Sequence, residues 1–300
     1  MMLFARNFVA SACLLLAVSG QAADPPLVTM ASLPEVPVVD GNLSEWGASG
    51  WHKVHVKPAV EPGERAALGL DGEDRNVTGK MTVLLKATVA QGRIFLALRW
   101  PDDASDTDYK GWQWAGAKYV EGKQRDDMLA VRFHKQGDFD RSMLAGKSYG
   151  VDVWLWSAAR TNPAGLAEDW LHLVSSKPIE DAAEYEVKGT GIVYIKKNRD
   201  AGSPIYRNLR PPKEKGADRL PSFEVVDKAS GSVADVSAKG TWRAGEWRLE
   251  MSRRLDTGNS DDVVFEPGRR LLGQIAVFNR GSNEHKSVSE PLLFDFSTPR

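Results

Sequence analysis

The chain alternates apolar and polar residues over many short runs, and a period of two puts every second side chain on one face of an extended strand. Lys80–Ala90 is the clearest case, with Met81, Val83, Leu85, Ala87 and Val89 on one face. Gln91-Gly92 makes a two-residue turn and Arg93–Trp100 returns, which predicts a β-hairpin. Further strands are predicted at Met128–Phe133, Tyr149–Trp156, Gly191–Lys196, Trp247–Arg254, Leu271–Phe278 and Pro291–Phe296. Helical periodicity is poor, and only Ala164–Leu173 reads as a short helix. Many short strands between turn residues predict an all-β sandwich or barrel with long loop excursions and at most a few short helices.

One stretch breaks the pattern. Residues 159–238 are rich in Lys, Asp, Gly and Pro, and Arg210–Asp218 is the most loop-like part. Its apolar content is too low for a second core. It reads as a long insertion in a single domain covering residues 24–300, and insertions of this length are often functional.

The first 23 residues read as a secretory signal. Arg6 is the positive n-region, Val9–Val18 a short apolar run, and Ala22 or Ala23 the cleavage position. The run is too short to cross a bilayer, and no second apolar run of membrane length follows. An exported, periplasmic protein with no membrane span is expected. Cys13 is the only cysteine and lies in that segment, so the mature chain has no disulfide and no Cys-x-x-Cys-His haem attachment. With 39 basic and 40 acidic residues the chain lacks the basic excess that nucleic-acid binding needs. Ten tryptophans are many, and Trp is placed to fill a core or to stack on a flat ligand.

Several patterns are candidates for chemistry. Met143 lies in a polar loop before the strand bearing Trp154 and Trp156. It would fill a core gap or act as a soft metal ligand. Trp154 and Trp156 share a strand face, which suits a flat ligand or a packed core. Near the end, Gln274–Phe278 and Pro291–Phe296 flank a polar turn carrying His285 and Lys286. A lysine on a turn is ordinarily solvated; here it is also a candidate iron ligand.

Taken in order, these patterns resemble a family. Asp40-Gly41 with Glu45-Trp46, Arg99-Trp100-Pro101-Asp102, Asp126-Asp127-Met-Leu-Ala-Val-Arg-Phe133, Val153-Trp-Leu-Trp156, Trp247–Leu255 and Lys286-Ser-Val-Ser-Glu290 look like the haem-binding domain of ethylbenzene dehydrogenase gamma subunits. The resemblance spans nearly the whole mature chain. It implies an antiparallel β-sandwich holding one non-covalent b-type haem between a methionine and a lysine. Carried onto this sequence, the axial ligands are Met143 and Lys286, with His285 as fallback and Trp154 and Trp156 beside the haem. The implied partners are the catalytic and iron–sulfur subunits of a molybdenum enzyme, or a soluble periplasmic cytochrome. Residues 159–238 depart from the short gamma subunits and look more like a branch found in larger cytochromes.

A lysine amine binds iron only when deprotonated, and its ordinary pKa is about 10.4, so burial and the iron charge have to favour the neutral form. Arg132, Lys147, Arg253 and Arg280 are candidate partners for the haem carboxylates. The alternative is a haem-free carbohydrate-binding sandwich with Trp112, Trp114, Trp154 and Trp156 as its platform. An enzyme in its own right is disfavoured, since no Gly-x-Ser-x-Gly, His-Glu-x-x-His or nucleophilic cysteine occurs.

Overall fold

The computed structural model describes residues 24–70, 76–281 and 286–297. The predicted export segment and His285 lie outside the described residues. Fourteen strands share the main sheet: β1 (Leu27–Thr29), β2 (His52–Pro58), β3 (Met81–Ala90), β4 (Arg93–Pro101), β5 (Met128–Gly137), β6 (Tyr149–Ser157), β7 (Leu166–Ser175), β8 (Ala183–Val187), β9 (Gly191–Arg199), β10 (Val236–Trp242), β11 (Glu246–Arg254), β12 (Arg270–Phe278), β13 (Ser287–Ser289) and β14 (Leu292–Asp295). Ten of them form a closed ring in the order β12, β13, β2, β3, β4, β11, β10, β7, β6, β5 and back to β12. Each pair of neighbours in the ring is antiparallel. The all-β, antiparallel expectation therefore holds, and the faces of the expected sandwich are joined into one barrel-like sheet. Closure leaves the ring itself without the open edges that template aggregation, and the sheet's remaining edges lie on its branches. β9 and β8 branch from the second half of β7, and β14 pairs with the first half of β12.

The hairpin at Gln91-Gly92 is present, and both turn residues have positive φ, as a tight primed turn requires. The predicted helix over Ala164–Leu173 is not: that segment is the ring strand β7. Two acidic residues concealed its period. Asp169 points into the ring and meets Arg253, while Glu168 points outward and meets Arg199, so charge falls on both faces. The stretch 159–238 thus supplies a ring strand and the β8–β9 branch before three small strand pairings, instead of leaving the sheet throughout.

Inside the ring, alternate residues of each strand form the main core, among them Leu85, Leu98, Leu129, Val131, Phe133 and Leu249. Trp156 packs against Trp100 and Trp247, with ring centroids 6.0 and 5.0 Å away. A Cβ on Gly240 would collide with the Trp156 indole, so this position needs glycine. At one end of the ring the fully buried Arg253 pairs with Asp152 at 2.7 Å, Asp169 at 2.6 Å and Asp262 at 3.1 Å. Trp46 closes a smaller cluster, donating from Nε1 to Glu250 Oε1 at 2.7 Å.

Burial pushes the carboxyls of Glu250 and Asp127 up to about 7, and burial with the neighbouring Asp261 and Asp262 pushes Asp200 up to about 8. Ordinary carboxyls titrate near 4. The folded state therefore holds these protons more tightly than the unfolded state. Their stabilisation is complete below about pH 4 and is lost as pH rises through 7 to 8. The melting temperature should fall between pH 5 and pH 8, by roughly 2–4 °C for each kcal/mol lost. Circular dichroism melts of wild type and of Glu250→Gln check this: the variant should show the flatter slope, and a melting temperature rising over that interval would contradict it.

Candidate functional site

The outward faces of β5, β6, β7 and β12 are also covered, which an ordinary barrel wall is not. Met128, Ala130, Val153, Ala276, Phe278 and Val288 belong to a second apolar cluster on this side. They line a cavity of about 630 Å³, inside the range of small-molecule and cofactor sites. Strand register sets its floor. Ala130 lies opposite Ala276 on β12 and opposite Leu155 on β6, so small side chains meet at the centre. Arg132 lies opposite Gln274, and Val153 opposite Trp170. Tyr185, Ile195 and Lys197 of the β8–β9 branch, Tyr206, and the loop of Met143 and Leu144 supply further walls.

Met143 and Lys286 both line this cavity. The Met143 loop is tied down by arginines. Arg132 donates to the carbonyls of Asp140 at 2.7 Å and Arg141 at 3.0 Å, and Arg141 donates to the carbonyls of Lys57 and Pro58 at 3.3 and 2.9 Å. Lys286 enters β13 beside the same segment, where the Ala59 N–H donates to its carbonyl at 2.9 Å. Asn76 donates to that carbonyl at 3.0 Å. The Lys286 amine stands 5.8 Å from the Phe278 ring centroid. The end of β2 and its continuation thus anchor a thioether and an amine from distant parts of the sequence.

Among the described residues the lining carries many cations and one carboxylate, Glu168. At one end Arg160 pairs with Asp126 at 3.3 Å and stacks on Tyr109 at 4.1 Å, Glu168 pairs with Arg199 at 2.7 Å, and Lys110 pairs with Glu121 at 3.0 Å. At the other end Arg132 donates to Gln274 Oε1, the Tyr149 hydroxyl and two carbonyls, all neutral acceptors. His172 also lines the cavity, and burial with the charges of Lys197, Arg132 and Lys286 holds its pKa well below the usual imidazole range.

A family model described as ethylbenzene dehydrogenase matches residues 51–289, most of the chain. The chain belongs to the ethylbenzene dehydrogenase family. Among curated proteins none matches it.

The motifs that carry the family resemblance chiefly build the ring. Trp100, Trp154, Trp156 and Trp247 are interior, Asp127 accepts from Trp247 Nε1 at 3.0 Å, and Asp126 accepts from the Ala159 N–H at 3.1 Å. The expected placement of Trp154 and Trp156 beside a cofactor is corrected. Both are fully buried inside the ring, and the period of two turns their neighbours Val153 and Leu155 to the cavity. Among the candidate carboxylate partners, Arg132 lines the cavity. Arg253 is instead enclosed by three aspartates, Lys147 pairs with Asp138 and Asp140, and Arg280 pairs with Asp106. Arg141 and His172 were missed. The signal for His172 was strand parity, since it shares the outward face of β7 with Glu168 and Trp170, whereas Arg141 lies in a loop with no such signal. Among the described residues no helix is long and apolar enough to cross a membrane.

Proposed function

We propose that the protein is a periplasmic b-type haem electron-transfer subunit, without catalytic activity of its own. Membership in the ethylbenzene dehydrogenase family suggests a subunit of a molybdoenzyme complex. The observation that carries the finer reading is that Met143 and Lys286, remote in sequence, line one cavity over an apolar floor. The donor set fits: a soft thioether and an amine are both ligands for haem iron.

Met143 and Lys286 would hold the iron from their anchored segments. The bound group would supply a one-electron ferric–ferrous couple. Met128, Ala130, Val153, Leu155, Ala276 and Phe278 keep water from the floor, and the surrounding cations offset the carboxylates of the group. Electrons would pass to or from the iron–sulfur subunit of a molybdenum enzyme or a soluble cytochrome. Export would follow from residues 1–23. The carbohydrate platform loses support, because Trp154 and Trp156 are in the core.

The test is the absorption spectrum of protein expressed with its export segment, oxidised and then reduced with dithionite. A six-coordinate low-spin spectrum is expected, and Met143→Ala and Lys286→Ala should each convert it toward high spin. If both variants keep the wild-type spectrum, the ligand assignment is wrong.

A further inference from the structure

The cavity has two cationic ends, and their arginines differ in what they bond. Around Arg160, acidic partners are already in place: Asp126 on Arg160, Glu168 on Arg199 and Glu121 on Lys110. Near His172, Arg132 donates to Gln274, Tyr149 and two carbonyls, all neutral, and among the described residues no carboxylate is paired with it. Lys197 lies directly opposite His172 in the β7–β9 register. His172 itself faces the cavity and packs on Trp170 at 6.1 Å between ring centroids. A neutral imidazole facing a cavity can offer one N–H to a ligand there.

We infer that His172, Lys197 and Arg132 form a carboxylate subsite, which binds the acidic edge of the cavity's ligand and so fixes which way round that ligand lies. This rests on the haem reading above, in which the acidic edge is the pair of propionates. An N–H and two cations from three strands suit a carboxylate, because charge-assisted hydrogen bonds are shorter and stronger than neutral ones. The Arg160 end would then meet the uncharged edge, where Tyr109 and Tyr206 present aromatic surface. His172 is here a positioning residue for the ligand, not a metal ligand.

The experiment compares ferric protoporphyrin IX with its dimethyl ester, in which both carboxylates are masked. Each is titrated into the apo protein and followed by absorption. Wild type should bind the free acid at least about tenfold more tightly than the ester. His172→Leu and Lys197→Met should each shrink that ratio several-fold, mainly by weakening the free acid, and His172→Gln should restore part of it by returning a donor. Far-UV circular dichroism checks that each variant keeps its strands. Equal affinity of wild type for acid and ester overturns the subsite while leaving the haem reading intact. Failure of wild type to take up either porphyrin overturns both. A ratio unchanged in His172→Leu and Lys197→Met also overturns the assignment.

Discussion

Arg253→Met should cost about 3–5 kcal/mol of stability and leave little soluble protein. Arg253 is fully buried and holds Asp152, Asp169 and Asp262 about one guanidinium. The carboxylate oxygens of those three residues approach within 4.8 Å of one another. Burial and the adjacent Asp152 already push the Asp169 carboxyl well above its ordinary range. Without the arginine, three acids would remain inside the ring with no counter-charge. Methionine restores bulk but no donors. A loss of that size is a large share of the 5–15 kcal/mol that typically separates folded from unfolded domains. Arg269→Ala is the control: its pair with Glu266 is on the surface and is worth about 1 kcal/mol at most. Urea titration of both variants decides the matter. If Arg253→Met unfolds at the wild-type midpoint, charge pairing does not hold that end of the ring.

The second large effect separates two adjacent residues. Ala130→Trp should reduce uptake of ferric protoporphyrin IX at least about tenfold with little change in melting temperature. Ala130 is at the centre of the cavity floor, opposite Ala276, and an indole there would fill the space above both. Leu129→Ala should do the reverse. Its side chain points into the ring, is fully buried, and would leave a void costing about 2–5 kcal/mol. Its effect on binding should follow only from the fraction unfolded. Paired melts and titrations test both, and a normal affinity in Ala130→Trp would place the ligand elsewhere.

How much of this was legible depends on which face a residue serves. The hairpin at Gln91-Gly92 and most ring strands could be read from alternation, because one of their faces is plainly apolar. β7 could not, since Glu168 and Asp169 are buried on opposite faces by Arg199 and Arg253, partners that a local pattern does not see. The pairing of Met143 with Lys286 is carried by an ordered resemblance, which no local pattern supplies, and both residues line one cavity. Trp154 and Trp156 were misplaced for a simpler reason. Both faces of β6 are covered, so an aromatic side chain on either face satisfies the same pattern. His172 was hidden inside a segment read as helical, where a period of two was not applied.

The ring is sealed by β13, which lies between β12 and β2 and follows every other strand of the ring in sequence, and β1 runs in parallel beside β14. The cylinder and its side cavity therefore cannot close until β13 has been made. A growing chain that stops short of β13 lacks the wall that carries Lys286 and the partner strand that holds β1. Any ligand of that cavity could then be enclosed only after β13 has paired with β12 and β2.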